Sequence, residues 1–319
     1  MEDKKPLVVL TGPTAAGKTE LSIRLAKAIG GEIISADSMQ VYRHMDIGTA
    51  KIRPGEMQGV PHYLVDVLAP EEPFNVVVFK QMAQAAIEEI CGRGHIPILV
   101  GGTGFYIQAV LYDIDFTENE DDPAIRRALE ALAAEPMGAA VLYHRLLMTD
   151  PESAGAIHFN NVKKVIRALE FYEQTGRKIS EHNKEQQQRK SPYNYVYLVL
   201  NRPREVLYDR IEQRIDRMLE AGLAEEVRGL KTMGYDRSLV SMQGLGYKEL
   251  LAWLEGEISY EEAVYILKRD TRHFAKRQLT WFRRERETIW YDLQTYPDTD
   301  ALLADVLRTL KEHKIITDI

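Results

Sequence analysis

The sequence predicts an α/β fold in which a parallel sheet core, flanked by helices, is interrupted by a helical insertion domain. Three observations carry that prediction. Short apolar runs alternate with helical periodicity through the first third of the chain, the texture of a parallel sheet with helices on its faces. From 123 to 188 the periodicity is helical throughout. A strand-type run, YNYVYLVL at 193–200, then resumes the earlier pattern. The expected organisation is a first part of the core at 1–112, a helical insertion at 113–192, and completion of the core with C-terminal helices at 193–319.

Each element follows from local chemistry. LVVL at 7–10 is a short buried-strand pattern closed by Thr11-Gly12-Pro13. Residues 18–29 read as a helix with Leu21, Leu25 and Ala28 on one stripe and Gly30-Gly31 ending it. Strands are expected at 32–36 and at 63–67, then a helix at 74–93 and a strand at 96–100 running into Gly101-Gly102-Thr103-Gly104. An acidic, apolar-poor stretch at 113–122 leads into the insertion. Beyond the late strand, helices are expected at 203–221 and 260–286, a last strand at 288–293 and a closing helix at 300–311.

Composition bounds the function. With 319 residues, 45% apolar and 28% charged, the chain has an ordinary globular balance and material for a sizeable core. Cys91 stands alone, which excludes an internal disulfide and a multi-cysteine zinc site. The polar start at 1–6 and the lack of an apolar span of about 20 residues make a soluble, cytoplasmic protein the expectation, with no membrane partner. A net charge of −7 argues against a nucleic-acid partner, yet the charge is uneven. Eight basic residues face four acidic ones over 160–191, and eight face three over 265–290, whereas 115–136 has two against seven. Local basic surfaces for phosphates and solvated helix faces both fit that asymmetry. His62, His158, His182 and His273 lack metal-site spacing and read as structural or surface residues.

Gly12-Pro13-Thr14-Ala15-Ala16-Gly17-Lys18-Thr19 fits G-x-x-x-x-G-K-[ST] and sits between a buried strand and a helix start, so the sheet is of P-loop type. Glycines let the backbone curl with its N–H groups turned toward phosphate oxygens, and the helix N-terminus adds partial positive charge. Lys18 supplies a mobile full charge, and the Thr19 hydroxyl suits Mg²⁺. The loop indicates a polyphosphate without saying which. The chain has no Asp-Glu pair ending an apolar strand, no Asn-Lys-x-Asp and no Ser-Gly-Gly-Gln, which disfavours motors and switches against a small kinase or transferase core.

Ser35-Ala36-Asp37-Ser38-Met39-Gln40-Val41-Tyr42-Arg43 follows the second strand. Strand C-termini line the ligand crevice of a parallel sheet, so Asp37 should face the phosphate loop as an indirect Mg²⁺ partner or a general base. The alternative is an Asx-turn or helix cap. Thr103 in the second glycine-rich turn either hydrogen-bonds a ligand or belongs to a plain loop-to-helix connection.

Together these motifs resemble the tRNA dimethylallyltransferases, or isopentenyltransferases, of the bacterial type. The resemblance spans nearly the whole chain. It rests on GPTAAGKT at 12–19, SADSMQVYR at 35–43, GGTGFYIQAV at 101–110, NNVKKVIRALE from 160, RIDRM at 214–218, QGLGYKE at 243–249 and KRQLTWF at 276–282. It implies transfer of a dimethylallyl group from dimethylallyl diphosphate to N6 of the adenine at tRNA position 37, beside the anticodon, with release of diphosphate. Residues 12–19 would hold the donor's diphosphate, Lys18 would neutralise it as it departs, and Thr19 would carry Mg²⁺. Asp37 would take the N6 proton, and Thr103 would sit beside the reacting groups. Arg214 would contact the diphosphate, with Arg210 and Arg217 close enough to leave the register open.

The tRNA contacts implied are Asp37, Ser38, Met39 and Gln40, together with Arg126, Lys163, Lys164 and Arg167 in the insertion and Arg272 and Lys276 on the long C-terminal helix. On that helix Arg269, Arg272, Lys276 and Arg283 share one face, and Val264, Leu267, Phe274 and Trp281 share an apolar one, which makes Trp281 a core residue. Ala16 stands where the family commonly has Ser, and Lys163-Lys164 where some members carry Gln-Arg. The expected partner is the anticodon stem-loop of tRNA, bound by a monomer. An ATP-dependent small-molecule P-loop kinase is the alternative enzyme, and a nucleotide-gated RNA-binding protein the alternative outside catalysis.

Overall fold

The structure, a computed structural model, describes residues 4–116 and 123–317; part of the polar start and residues 117–122 of the acidic stretch lie outside the described residues. The chain divides into two units, Met1–Leu111 with Pro192–Ile319, and Tyr112–Ser191.

The first unit begins with the alternation β1 (Pro6–Thr11), α1 (Lys18–Ile29), β2 (Gly31–Ala36), β3 (His62–Tyr63), α2 (Val76–Gly92), β4 (Ile96–Gly101) and α3 (Gly104–Leu111). β1 and β2 are continuous apolar runs because both sheet faces are covered, and nearly every residue in them is buried. Asn75 starts α2 by accepting the N–H groups of Val77 and Val78 on its Oδ1.

The strand expected at 63–67 is shorter and earlier than the sequence suggests. Only His62 and Tyr63 pair with β2, because Leu64 and Asp66 take positive φ values of 60° and 57° and turn the chain out of the ladder. The turn has an electrostatic anchor. The buried Lys51 ammonium donates to the Tyr42 carbonyl at 2.6 Å and to the carboxylates of Asp46 at 2.6 Å and Asp66 at 2.5 Å.

The second unit is helical: α4 (Pro123–Ala134), α5 (Gly138–Thr149), α6 (Pro151–Ala156), α7 (Val162–Thr175) and α8 (Ile179–Gln188). Leu129, Leu142, Leu146, Val165 and Leu169 form its core. Asp150 starts α6 and also accepts the N–H and hydroxyl of Ser180 at 3.0 and 2.7 Å. Burial alone would raise its carboxyl pKa, but the hydrogen bonds from Ser180 and Ser153 outweigh burial and hold it below the usual carboxylate range.

The first unit resumes with β5 (Asn194–Asn201), α9 (Arg204–Glu220), α10 (Leu223–Thr232), α11 (Tyr247–Leu254), α12 (Tyr260–Phe282), β6 (Thr288–Asp292) and α13 (Thr299–Glu312). The sequence reading assigned nothing to α10 and α11. Each is ten residues or fewer, so an apolar stripe such as Leu223, Val227 and Leu230 in α10 is too short to announce a period.

All six strands run parallel in the order β3-β2-β4-β1-β5-β6. Leu21 and Leu25 of α1 and Val306 and Leu310 of α13 pack with Val8, Leu10 and Leu198 of the sheet. At the carboxyl edge Gly101 is in register with both Thr11 and Ala36. The loops after β1, β2 and β4 therefore leave the sheet side by side. Among the described residues no helix is long and apolar enough to cross a membrane.

Candidate active site

The three loops open on a cavity of about 610 Å³, walled also by residues 48–50, α9, the 240–248 segment and α12. The phosphate loop is shaped locally. Gly12 has φ of 150°, and a Cβ there would fall 2.5 Å from the Leu200 carbonyl oxygen. Gly17, at φ 109°, precedes α1 without a side-chain cap, so among the described residues no cap claims the first-turn N–H groups that an anion would use. Lys18 Nζ donates to the carbonyls of Gly12 and Pro13, both at 2.9 Å. From outside, Arg210 Nε donates to the Ala15 carbonyl at 3.0 Å and Arg202 Nε to the Ala16 carbonyl at 3.2 Å. Thr19 is exposed on the first turn of α1 and lines the cavity.

Burial depresses the Lys18 ammonium pKa to about 8; the Arg214 guanidinium pushes the same way, and Asp37 opposes both. Arg214 is itself held below its ordinary value by burial, again with Asp37 opposing. The structure thus places Lys18, Arg214 and Asp37 within mutual electrostatic reach. The neighbouring arginines are employed differently. Arg210 braces Ala15, and Arg217 Nε donates to the Gln213 carbonyl of its own helix at 3.1 Å.

Asp37 does form an Asx-turn. Its Oδ1 accepts from Met39 N at 2.8 Å and Gln40 N at 3.4 Å. That turn and a chemical role are compatible, because among the described residues no hydrogen bond occupies Oδ2. Ser38, Met39 and Gln40 line the same cavity, and Thr103 enters it from the loop after β4, its N–H donating to Ala36 O at 3.3 Å.

Gln278, to which sequence reasoning assigned no role, ties two of the loops together. Only 7% exposed, it accepts the Thr14 N–H on Oε1 at 2.9 Å and donates from Nε2 to Gly102 O at 2.9 Å. The amide of Thr14 is therefore directed to Gln278 and not toward a phosphate. A polar residue on the buried stripe of a helix was the available signal.

α12 also corrects the expected faces. Its buried stripe is Ala263, Leu267, Ala275, Gln278 and Phe282, while Phe274 lines the cavity and Val264 and Trp281 are half-buried. Residues spaced by sevens drift about 20° per heptad around a straight helix, so a stripe read from 264 to 281 leaves the true contact line. Trp281 packs where a Cβ on Gly104 would fall 2.2 Å from its ring, and it meets Phe105 edge-on at 6.1 Å. Arg269 and Arg272 are paired with Asp270 and Glu212 at 2.8 and 2.5 Å. The basic groove on this helix, about 390 Å³, is lined by His273, Lys276, Arg277, Thr280, Trp281 and Arg284.

In the second unit Arg126 grips the nearly buried Glu170 through Nε and Nη2 at 2.9 and 2.6 Å, and Arg167 joins at 3.2 Å. Lys163 and Lys164 are exposed and have no ion-pair partner among the described residues. Also among the described residues, no group of three or more His, Cys, Asp or Glu side chains is placed to hold a metal ion.

The IPP transferase family model matches residues 40–285, and an isopentenyl transferase model matches 5–69. The tRNA dimethylallyltransferase of Lachnoclostridium phytofermentans is 62% identical over 98% of this chain and 99% of its own length. That of Alkaliphilus oremlandii is 49% identical over 97% and 98%. The full-length tRNA isopentenylpyrophosphate transferase of Bacillus halodurans has a similar structure, with a TM-score of 0.73, 44% identity and 98% of each chain covered. A eukaryotic dimethylallyltransferase acting on tRNA gives a TM-score of 0.82 at 31% identity, covering 97% of this chain and 79% of that one. A glycine-rich loop with Lys18 at a helix start, a carboxylate in the same cavity and this extent of identity lead to one assignment: the chain belongs to the IPP transferase family, that of the bacterial tRNA dimethylallyltransferases.

Proposed function

We propose that this chain transfers the dimethylallyl group of dimethylallyl diphosphate to N6 of adenine 37 of tRNA and releases diphosphate. The observation that carries the proposal is a single cavity holding an anion-binding loop with Lys18 and Arg214, the Asp37 carboxylate, and an apolar wall. The loop amides, Lys18 and Arg214 bind the diphosphate; Ile211, Ile215, Leu267 and Phe274 supply apolar surface for a five-carbon tail.

As the allylic C–O bond breaks, the electron pair leaves with the diphosphate, and the two cations stabilise the charge that develops there. The N6 lone pair forms the C–N bond, and its proton passes to Oδ2 of Asp37. Thr103 lies beside the reacting groups. The adenine must leave its stack to enter the cavity. Thr19 would hold Mg²⁺: one hydroxyl suits a cation that takes its other ligands from phosphate oxygens and water, and when bound the ion adds neutralising charge at the leaving group.

The groove at Lys276, Arg277 and Arg284 and the exposed Lys163 and Lys164 supply cations for tRNA phosphates. Ser38, Met39 and Gln40 face the acceptor. Arg126, Arg167 and Arg272 would reach RNA only by sharing or exchanging their carboxylate partners.

The test is incubation with Mg²⁺, dimethylallyl diphosphate and unmodified tRNA carrying adenine at position 37, followed by nucleoside mass spectrometry. A prenylated adenosine is the expected product. ATP consumption without it would overturn the proposal in favour of the kinase.

A further inference from the structure

Glu226, in the first turn of α10, lies outside every motif discussed so far. Its Oε2 accepts the backbone N–H of Asp46 at 2.9 Å and of Ile47 at 2.7 Å; its Oε1 accepts Gly48 N–H at 3.1 Å and the Tyr247 hydroxyl at 2.7 Å. A carboxylate offers about four lone-pair sites, and four donors fill them. Glu226 therefore has no capacity left to take a proton or ligate a metal. All its hydrogen-bonding goes into holding a turn some 180 residues away in sequence.

That turn forms part of the cavity wall through Gly48, Thr49 and Ala50. Gly48 lies against the fully buried Tyr247 ring, where a Cβ would come within 2.6 Å. Gln40 Nε2 donates to Thr49 O at 3.2 Å, Gln40 Oε1 accepts from Ser35 Oγ at 3.1 Å, and Gln40 N donates to Asp37 Oδ1 at 3.4 Å. The Met39 methyl packs where a Cβ on Gly244 would be 2.6 Å away. The segment from Asp37 to Ala50 is thus docked on Glu226 of α10, Tyr247 of α11 and Gly244 in the loop between those helices.

From this juxtaposition, and resting on the transfer reading above, we infer that Glu226 is a positioning residue for the acceptor side of the reaction. Through the 46–50 turn and Gln40 it sets where Asp37 meets the incoming amine, and it has no part in binding the donor's diphosphate.

The experiment compares Glu226→Gln, Gly48→Ala and Tyr247→Phe in the full chain, reading turnover with tRNA and, separately, Mg²⁺-dependent binding of inorganic diphosphate by calorimetry. Gln keeps the shape but replaces one acceptor oxygen with a donor. Turnover in Glu226→Gln should fall about tenfold to a hundredfold, the scale set by donors in the turn left without an acceptor, with the KM for tRNA raised. Diphosphate affinity should stay within about twofold of wild type, since no donor contact is lost. Gly48→Ala should show the same split, and Tyr247→Phe a milder one. Should Glu226→Gln not fold, the split in the other two decides. Unchanged turnover, or diphosphate affinity falling in parallel with it, overturns the inference. A wild-type chain that forms no prenylated nucleoside overturns the transfer reading and this inference with it, whereas active wild type with an equally active Glu226→Gln overturns the inference alone.

Discussion

The phosphate loop and the 37–50 segment line one cavity but keep their shapes by different means. Residues 12–19 owe their curl to local features, with glycines at φ 150° and 109°, a helix N-terminus without a side-chain cap and a lysine bonded to its own loop's carbonyls, and Gln278, Arg202 and Arg210 brace the finished loop from outside. The 37–50 segment is held by side chains from far along the sequence, Glu226 and Tyr247 above all. On the transfer reading a grip on diphosphate can be mostly local, because the ligand is small and is met by backbone N–H groups and Lys18, with Arg214 alone added from α9. A grip on an extruded base must be assembled from several directions.

The largest expected effect breaks the local side. Lys18→Ala should lower turnover by about a thousandfold by removing a full charge from the leaving group, with diphosphate affinity reduced and tRNA affinity in a gel shift nearly preserved. A collapse of tRNA binding would show that the two sides are not separable.

Next, Asp37→Asn and Asp37→Ala divide the acceptor side. Asn keeps the oxygen that accepts Met39 N and Gln40 N but cannot take a proton. Equal losses of about a hundredfold or more in single-turnover rate mark a general base; an active Asn variant would reduce Asp37 to its turn.

Acidity sharpens the contrast. With the Lys18 pKa at about 8, the ammonium is charged below that pH and neutral above it. Diphosphate affinity measured by calorimetry, taken as a ratio to that of Lys18→Arg so that the ligand's own ionisations cancel, should be level below pH 8 and decline above it, by at most about tenfold per unit. A flat profile through pH 9 would mean that the ligand does not bind Lys18.

The smallest effects concern the second unit. Lys164→Ala should reduce the slope of tRNA affinity against salt by about 1, with the urea midpoint unchanged. Arg126→Ala should instead cost about 1 kcal/mol in stability, since it leaves the Glu170 carboxylate to Arg167, itself half-exposed and partly screened. If the two variants exchange phenotypes, the division between exposed lysines and paired arginines is wrong.

Much of this is legible in the local sequence. Strand, turn and helix follow from short-range patterns, so β1, α1, β2, β4, β5 and α12 could be read from periodicity, as could the phosphate loop from its spacing. Side-chain charge was legible only as a count. That Arg272 pairs with Glu212 while Lys276 lines an open groove is not written in the local chain. The early end of β3 depends on the ammonium of Lys51, and the bridge between two site loops depends on Gln278, both placed by folding.

The sequence by itself determined an α/β core with a glycine-rich turn and a helix start after its first strand, because neighbouring residues suffice to curl a backbone and start a helix. Only the tertiary structure decided which arginine stands beside Lys18, which face of α12 is wet, and what holds Asp37 in place. Those depend on distances between groups up to hundreds of residues apart, and a hydrogen bond or a Coulomb interaction is set by separation in space, on which order along the chain is silent.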